Sequence, residues 1–198
     1  MRAEGYALVA GADEAGRGAL FGPVFAAAAI LSPDRPIPGL RDSKLLDPWR
    51  REELAAEIRE RAVAFAVASV DAFVIDRINI YQASRLAMRR AIEALSPAPN
   101  ALLVDAMRLD TALPQAPLIH GDARSQAIAA ASILAKTARD AAMCAWDEVF
   151  PQYGLRRHKG YGTPEHLDSL AMHGPTGHHR LTFDPVRAVC GLEARAWR

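Results

Sequence analysis

Short apolar runs alternate with polar, Gly- and Pro-containing segments along the chain, and this pattern predicts an α/β fold. Residues 6–12, 24–31 and 62–70 are apolar runs of strand length. Two shorter runs, residues 101–104 and 117–119, end just before Asp105 and shortly before Asp122. The five runs predict a mixed five-stranded sheet flanked by helices.

Helix signals separate and follow these runs. Asp47 and Pro48 predict an N-cap and a first helical turn, with the helix continuing to Arg61. Apolar positions at helical spacing predict further helices over residues 71–76, 79–95, 125–149 and 163–172. We therefore expect a main domain over residues 1–150 and a small helical C-terminal region over residues 151–198.

Composition narrows the class of protein. The chain has 198 residues, of which 51% are hydrophobic, which is enough for one large core. No apolar run reaches the ~18 residues of a membrane span, and residues 1–5 lack the pattern of a signal peptide. Cys144 and Cys190 form no metal-type pair. These features predict a cytoplasmic protein without a membrane partner, and the net charge of +1 indicates no partner class.

Two adjacent carboxylates carry the first indication of chemistry. Asp13 and Glu14 close the first apolar run, and the turn Gly16-Arg17-Gly18 follows them. Unpaired buried charge costs several kcal/mol, whereas Mg²⁺ prefers carboxylate oxygens as ligands. The turn offers backbone N–H groups and a guanidinium, which suit a phosphodiester. A metal and a phosphate side by side indicate nucleic-acid chemistry.

Two more acids share this context. Asp105 and Asp122 also follow apolar strands, and strand ends are where α/β sheets build sites. Four acids gathered at one edge would repel one another unless cations neutralised them. Taken singly, Asp105 also suits a turn or a helix cap, and Asp122 also suits the N-cap of the long helix.

The adjacent pair raises a geometric problem. Neighbouring residues of a regular strand point to opposite faces of a sheet, so Asp13 and Glu14 share one metal only if the strand has ended by Glu14. Gly16 and Gly18 make such an early end plausible. Alternatively, Glu14 contributes its backbone carbonyl.

Two competing motifs fit less well. Residues 11–16 have the G-x-x-x-x-G spacing of a phosphate-binding loop, but Arg17-Gly18 replaces the Lys-Ser/Thr that this loop requires. Histidines cluster towards the C-terminus without cysteine partners or an H-E-x-x-H spacing, which disfavours zinc.

Basic residues with an interleaved aromatic indicate a nucleic-acid surface. Tyr161 lies in a Gly-x-Gly loop beside Lys159, a combination that suits a backbone and a stacked sugar or base, although a solvated loop is the alternative. Ser43, Lys44, Arg124 and Lys136 either contact phosphate or face water.

Five blocks in order resemble ribonuclease HII, the type 2 ribonuclease H of bacteria, over nearly the whole length. The first contains Ala12 to Gly18 with Gly22-Pro23-Val24, and the second is Asp42-Ser43-Lys44. The other three are Asn79-Ile80 with Gln82-Ala83, Gly121 to Ser125 with Ala129 to Lys136, and His158 to Thr163 with Glu165-His166.

The resemblance implies a ribonuclease H-like fold with catalytic, metal-binding acids at Asp13, Glu14, Asp105 and Asp122. It implies that Gly16-Arg17-Gly18 reads the ribose 2′-hydroxyl and that Tyr161 stacks on the following sugar. The remaining substrate contacts that it implies are Ser43, Lys44, Arg124, Ser125, Lys136 and Lys159. Two positions depart from the family pattern: Ala106 stands where Gly is usual, and His120 where a basic residue, commonly Lys, is frequent.

The expected activity is metal-dependent endoribonuclease cleavage in RNA–DNA hybrids and at single ribonucleotides in duplex DNA. Two Mg²⁺ or Mn²⁺ ions would promote attack by water and departure of the 3′-oxygen, leaving a 3′-hydroxyl and a 5′-phosphate. We expect a monomer, and residues 191–198 show no sliding-clamp peptide. A DNA junction resolvase and a non-catalytic hybrid-binding module remain the alternatives.

Overall fold

The computed structural model describes Met1 and residues 5–191, and within them it forms one five-stranded sheet. The strands are β1 (Val9–Ala15), β2 (Val24–Leu31), β3 (Ala62–Val70), β4 (Ala101–Asp105) and β5 (Gln115–Leu118). Their order in the sheet is β3-β2-β1-β4-β5. Strand β2 is antiparallel to both β1 and β3, whereas β1, β4 and β5 are parallel. The mixed sheet expected from the sequence is therefore confirmed.

Helices surround this sheet and complete the C-terminal region. Short 3₁₀ turns cover Ser43–Leu45 and Pro151–Tyr153. No helix in the described part of the chain combines the length and the apolar character needed to cross a bilayer. The helices are α1 (Pro48–Arg61), α2 (Ala72–Ile78), α3 (Ile80–Glu93), α4 (Gly121–Arg124), α5 (Gln126–Val149), α6 (Leu155–His158), α7 (Pro164–His173) and α8 (Asp184–Val189).

Three elements have the bounds that the local sequence predicts, to the residue. Strands β2 and β3 have the predicted bounds, and α1 begins after Asp47, whose side chain accepts a hydrogen bond from the Arg50 N–H. The first strand differs most, because β1 covers residues 9–15 and not the expected 6–12. The polar end of β1 stays extended because the ladder to β2 continues as far as Ala15 opposite Phe25. Smaller differences occur in β5, which covers 115–118 and not 117–119, and in α2, which covers 72–78 and not 71–76.

The segment before the long helix also differs from expectation. Asp122 is not the N-cap of that helix, because it lies in the separate short helix α4. The N-cap of α5 is Ser125, whose hydroxyl accepts from the Ile128 N–H at 3.5 Å. Helices α6 and α8 are additional to those predicted, since each is too short to show an apolar period.

Two apolar layers bury the two faces of the sheet. Helix α3 packs on one face with Ala26 and Ala28 of β2, and α1 and α5 pack on the other with Ala27 and Ala29. Gly11 lets β1 approach α5, because a Cβ there would lie 2.1 Å from the Ala127 carbonyl carbon. The carboxyl ends of the parallel strands β1 and β4 therefore lie at one edge of a sheet that is packed on both faces.

The C-terminal region packs against the turn that follows β1. The Leu20 N–H donates to the Gly160 carbonyl and the Gly22 N–H donates to the His178 carbonyl, both at 2.8 Å. An isolated bridge pairs Ala19 with Tyr161. Residues far apart in the chain therefore meet beside the end of β1.

Candidate active site

Asp13 and Glu14 both lie inside β1. Asp13 pairs with Ala27 and Glu14 with Ala26, so the two carboxylates lie on the α1/α5 face and the α3 face respectively. The expectation that the strand ends by Glu14 is wrong, because the antiparallel ladder to β2 holds the backbone extended through Ala15. The parallel ladder to β4 stops earlier, at Ala12.

Asp105 links the four acids electrostatically. It closes β4, and its negative charge contributes to raising the pKa of Asp13, Glu14 and Asp122. Burial is the first cause of the raised pKa of each of those three groups, and the Glu14 charge also raises the pKa of Asp13. The structure therefore brings all four predicted acids into one repulsive cluster with Asp105 at its centre.

Each carboxylate of this cluster is held by a local donor. Asp13 Oδ1 accepts from the Glu14 N–H at 2.7 Å, and Asp105 Oδ1 accepts from the Gly121 N–H at 2.7 Å. Asp122 Oδ1 accepts from the Ala123 N–H at 2.9 Å. In these orientations, no three carboxylate, imidazole or thiol groups among the described residues lie close enough together to share a metal ion.

The donor set nevertheless fits a hard cation. Glu14 Oε2 is buried and has no hydrogen-bond partner among the described residues, while Oε1 lies 3.4 Å from Arg17 Nη1. A buried acceptor left unpaired costs about 1–3 kcal/mol, and mutual repulsion adds to that cost. A divalent cation with oxygen ligands would both supply a partner for the unpaired oxygen and reduce the repulsion between the carboxylates.

The glycine turn after β1 exposes backbone at the site. Gly16 has φ +92°, and a Cβ there would lie 1.9 Å from Arg139 Nε, so this position admits only glycine. Gly18 is exposed, and a Cβ on it would have no atom within 4 Å. The turn thus has a fixed base at Gly16 and an open edge at Gly18.

Tyr161 lies beside this turn. Its bridge to Ala19 fixes the backbone, and its ring packs against Arg139 and Lys136 at 5.1 and 5.9 Å from the ring centroid. Such distances allow cation–π attraction. The structure therefore joins the two predicted ribose-reading elements, although their residues are more than 140 positions apart in the sequence.

Two buried arginines underlie the turn, and the sequence analysis did not single them out. Arg139 and Arg180 are both fully buried, and burial is the first cause of their lowered pKa values. Arg139 donates weakly from Nη2 to the Phe21 carbonyl at 3.5 Å, and its Nε and Nη1 find no hydrogen-bond partner in the part of the chain that the structure describes. Only the position of Arg139, three residues after Lys136 on an Ala-rich helix, offered a signal.

Several predicted substrate contacts have partners within the protein. The buried Ser43 hydroxyl lies 2.9 Å from that of Ser132, and Ser125 caps α5. Lys136 Nζ donates to Asp140 at 2.6 Å, and Lys159 Nζ donates to the Arg156 carbonyl at 2.7 Å. In the conformations observed, these side chains hold neighbouring segments of the protein together. To contact phosphate, they would have to give up the hydrogen bonds that they make here.

Near Asp122, the acid cluster has both basic and acidic neighbours. Lys44 is exposed, and its charge acts to lower the pKa of Asp122, whereas the neighbouring Asp42 acts to raise it. Arg124 is also exposed, with Nη1 3.5 Å from the Ile119 carbonyl. Asp42 is therefore a further member of the acid environment that sequence reasoning did not select.

The two departures from the family pattern have unusual backbone conformations. Ala106 has φ 47° and His120 has φ 53°, both in the left-handed region that favours glycine. A side chain in that region costs roughly 1–2 kcal/mol. Ala106 retains the geometry of a glycine position, with its N–H donating to the Leu118 carbonyl at 3.0 Å.

Comparison with known proteins gives one family. The family model described as Ribonuclease HII matches residues 10–186. A ribonuclease HII of Solibacter usitatus is 65% identical over 188 residues, which is 95% of this chain and 82% of that protein. A ribonuclease HII of Geobacillus thermodenitrificans is 55% identical over 98% of this chain and 75% of its own length.

Solved structures share the fold. Ribonuclease H2 from Pyrococcus horikoshii has a TM-score of 0.77 at 24% identity, covering 91% of this chain and 96% of that one. The chain matched in the PCNA:RNase HII complex from Archaeoglobus fulgidus also has a TM-score of 0.77, at 26% identity over 92% and 96% of the two chains. Bst-RNase HIII, solved in complex with Mn²⁺, has a TM-score of 0.70 at 20% identity, over 93% of this chain and 69% of its own.

Proposed function

The chain belongs to the ribonuclease HII family, and from that premise we propose how its own residues select and cleave ribonucleotides. Membership makes it an endoribonuclease of the ribonuclease H type that depends on a divalent metal. The observation that carries the proposal is the adjacency of two unlike regions. A repulsive acid cluster at the end of β1 is followed, two residues after Glu14, by a glycine turn that Tyr161 borders.

The acid cluster is proposed as the catalytic metal site. Asp13, Glu14, Asp105 and Asp122 would hold Mg²⁺ or Mn²⁺, which supply a nucleophile from water and stabilise charge on the leaving 3′-oxygen. The unpartnered Glu14 Oε2 and the raised pKa values support this assignment. Because Glu14 lies on the opposite face from Asp13, its backbone carbonyl remains an alternative ligand.

The substrate is proposed to be a ribonucleotide within a duplex, either in an RNA–DNA hybrid or singly embedded in DNA. Removal of ribonucleotides must tolerate any base, so recognition has to use the 2′-hydroxyl and helix shape. The exposed backbone at Gly18 offers a donor or acceptor to that hydroxyl without obstruction. Arg17, Lys44 and Arg124 are exposed and suit phosphate contacts.

Tyr161 is proposed to check the next sugar. Its half-buried ring is supported by Arg139 and Lys136, which leaves part of its surface for stacking. A ring packed against a deoxyribose leaves no room for an added 2′-hydroxyl. Cleavage at a ribonucleotide followed by DNA would therefore depend on Tyr161 more than cleavage within an RNA strand.

The organisation and setting of the enzyme complete the proposal. Residues 1–150 would form the catalytic domain, and residues 151–198 would complete the substrate groove. A role in ribonucleotide removal from DNA, a cytoplasmic location and a monomeric state stay predictions. Of the tail considered for sliding-clamp binding, residues 192–198 lie outside the described residues, as do residues 2–4 of the N-terminal segment.

The direct test uses three matched duplexes: DNA with one ribonucleotide, an RNA–DNA hybrid and all-DNA. We expect Mg²⁺-dependent cleavage of the first two, with 3′-hydroxyl and 5′-phosphate ends, and none of the third. Cleavage of all-DNA duplexes or four-way junctions would favour a resolvase. Binding of these duplexes without cleavage in either Mg²⁺ or Mn²⁺ would favour a non-catalytic module.

A further inference from the structure

One short segment contacts both elements that are proposed to read the ribose. Residues 176–180, here called the brace, lie between α7 and α8. His179 forms an isolated bridge with Phe21, and the His178 carbonyl accepts from the Gly22 N–H at 2.8 Å. The brace is thus fixed to the segment that follows the glycine turn.

Arg180 connects the brace to the turn itself. Its Nη1 donates to the Arg17 carbonyl at 2.7 Å, and its Nε donates to the Gly22 carbonyl at 3.0 Å. The backbone N–H of Arg180 donates to the Leu20 carbonyl at 2.9 Å. A single side chain therefore closes the loop that contains Gly18.

Arg180 forms no salt bridge within the described residues, although the negative charge of Asp76 acts on it and favours its charged form. The guanidinium is fully buried, and no ion pair to it is found among the described residues. Burial lowers its pKa to about 9, so it remains charged at neutral pH. A charged donor on the Arg17 carbonyl polarises the Arg17–Gly18 peptide, which strengthens the Gly18 N–H as a donor.

A chain of imidazoles connects the brace to Tyr161. The Thr176 N–H donates to His179 Nδ1 at 3.0 Å, so neutral His179 carries its proton on Nε2. That nitrogen lies 3.3 Å from His166 Nε2 and donates to it. His166 then carries its proton on Nδ1, which donates to the Tyr161 carbonyl at 2.9 Å.

Burial keeps these two rings neutral, which fixes the direction of the chain. His166 and His179 are both buried, and burial lowers the pKa of His179 to about 3. Burial likewise lowers the pKa of His166. With one proton on each ring, every nitrogen in the chain has a single role.

We propose that the brace is a positioning segment that sets the glycine turn and Tyr161 at a fixed separation, so that the two readers examine adjacent sugars of one strand. His179 acts on Tyr161 through His166, and the next residue, Arg180, acts on the turn. The inference rests on the proposed function of these two readers. It assigns specificity to residues that do not touch substrate.

Isosteric histidine variants test the Tyr161 side. Asn mimics Nδ1 of histidine and Gln mimics Nε2, so His166→Asn keeps the donor to Tyr161 and His166→Gln loses it. The readout is the cleavage rate at one embedded ribonucleotide divided by the rate within a hybrid. We expect His166→Asn to keep this ratio and His166→Gln to lower it about 5-fold, the effect of one hydrogen bond.

The His166 pair distinguishes positioning from packing. Gln is closer to histidine in volume, so a packing role predicts that His166→Gln is the milder variant. That order, or an equal ratio in both variants, would overturn this half of the proposal. His173→Gln, on an exposed ring of the same helix, is the matched control.

Arginine variants test the turn side. The readout is the affinity for a ribonucleotide-containing duplex divided by that for all-DNA, both measured in Ca²⁺ to prevent turnover. We expect Arg180→Met to lower this ratio about 5- to 10-fold and Arg180→Lys to lower it less. A loss of thermal stability with an unchanged ratio would overturn the claim, and Arg156→Lys is the exposed control.

Amide hydrogen exchange separates this inference from the function on which it rests. If the brace positions both readers, His179→Asn should speed amide exchange at residues 16–20 and at residues 158–162 together. This expectation does not depend on how the variant changes the ratio of cleavage rates. Unchanged protection there would overturn the brace. An unchanged substrate ratio in Tyr161→Ala would instead overturn the reading role of Tyr161, and exchange would then decide the brace alone.

Discussion

The acid cluster is adjacent to the proposed ribose-reading region, which comprises residues 16–18, Tyr161, Arg139 and the brace, but the two are built on opposite principles. In the acid cluster, burial and the charge of Asp105 raise the pKa of the other three carboxylates, and Glu14 Oε2 lacks a hydrogen-bond partner within the described part of the chain. The reading region contains buried cations and a directed chain of hydrogen bonds from Thr176 to the Tyr161 carbonyl. The first needs an added cation, whereas the second is assembled by the chain itself.

From this difference we expect the rate of cleavage and the specificity for substrate to be separable. A change in the acid cluster should reduce cleavage of every substrate, because it removes stabilisation that all transition states share. A change in the reading region should alter the ratio between substrates. The two regions should also differ in stability, since the acid cluster opposes folding without metal and the hydrogen-bonded reader supports it.

The largest effect is expected at Asp13. Asp13→Asn should reduce cleavage about 100- to 1000-fold on single-ribonucleotide and hybrid substrates alike, because a lost ligand charge removes about 3–4 kcal/mol of transition-state stabilisation. Without metal, the same variant should unfold at a higher temperature, because Asn retains the acceptor for the Glu14 N–H without the repulsion. Initial rates in saturating Mg²⁺ and thermal unfolding in EDTA measure the two effects.

The control for Asp13→Asn is Asp34→Asn, which neutralises an exposed acid in the loop after β2. It should change neither quantity. Wild-type turnover of Asp13→Asn in saturating Mg²⁺ would exclude Asp13 as a ligand.

Two glycines of the turn should behave differently. Gly16→Ala combines a positive φ with a clash against Arg139, so we expect a loss of about 2–4 kcal/mol, or roughly 5–15 °C in Tm. Gly18→Ala has open space and should stay within about 0.5 kcal/mol of wild type. It should nevertheless weaken binding of ribonucleotide-containing duplexes, because its methyl group occupies the surface offered to the sugar. Full affinity in Gly18→Ala would place the reader elsewhere.

Acidification should affect the two regions with opposite sign. The pKa of His179 is lowered from 6.5 to about 3, so its contribution to stability is complete above pH 6.5 and is lost as the pH falls towards 3. Well between these two pKa values the loss approaches about 1.4 kcal/mol per pH unit, and it should be smaller in His179→Gln, where the lowered pKa of His166 still contributes its own share.

The raised pKa of Asp13 acts in the other direction. The folded state binds this proton more tightly than the unfolded state, so metal-free stability rises as the pH falls through the folded pKa. The advantage of Asp13→Asn should therefore be greatest at neutral pH and disappear on acidification. Denaturant titrations in EDTA at several pH values measure both terms, and a pH-independent advantage would contradict the repulsive cluster.

The smallest effect is expected at Ala106. Ala106→Gly should relieve the left-handed strain while adding chain entropy to the unfolded state, for a net gain of about 0.5–1 kcal/mol, or roughly 1–4 °C in Tm. The cleavage rates of this variant should stay within about 2-fold of those of the wild type, because the substitution changes no carboxylate. A lower Tm would show that the chain accommodates φ 47° at this residue without strain.

Locally encoded features were predictable from the sequence. The cap and first turn at Asp47 and Pro48 fix α1 without reference to the rest of the chain. The end of β1 was not predictable in this way, because Asp13 to Ala15 are kept extended by pairing with β2. The charge of Asp105 acts on the other three acids, in line with the expectation that strand ends gather them at one edge, and their binding of metal stays a prediction.

The hydrogen bonds that hold the site residues in place could not be predicted from the sequence. Arg180 contacts the Arg17 carbonyl across 163 positions, and nothing in the residues around it indicates that pairing. Ser43 and Lys136 were predicted as substrate contacts, but the structure pairs them with Ser132 and Asp140. Such partners depend on packing between distant segments, which no local pattern encodes.

The separation of rate from specificity is tested most directly by one comparison of cleavage rates. Wild type, Asp13→Asn and Tyr161→Ala are each assayed in Mg²⁺ on DNA with one ribonucleotide and on an RNA–DNA hybrid. Asp13→Asn should lower both rates and leave their ratio unchanged. Tyr161→Ala should lower the ratio about 5- to 150-fold, since stacking is worth about 1–3 kcal/mol. An unchanged ratio in Tyr161→Ala, or an altered one in Asp13→Asn, would contradict the separation.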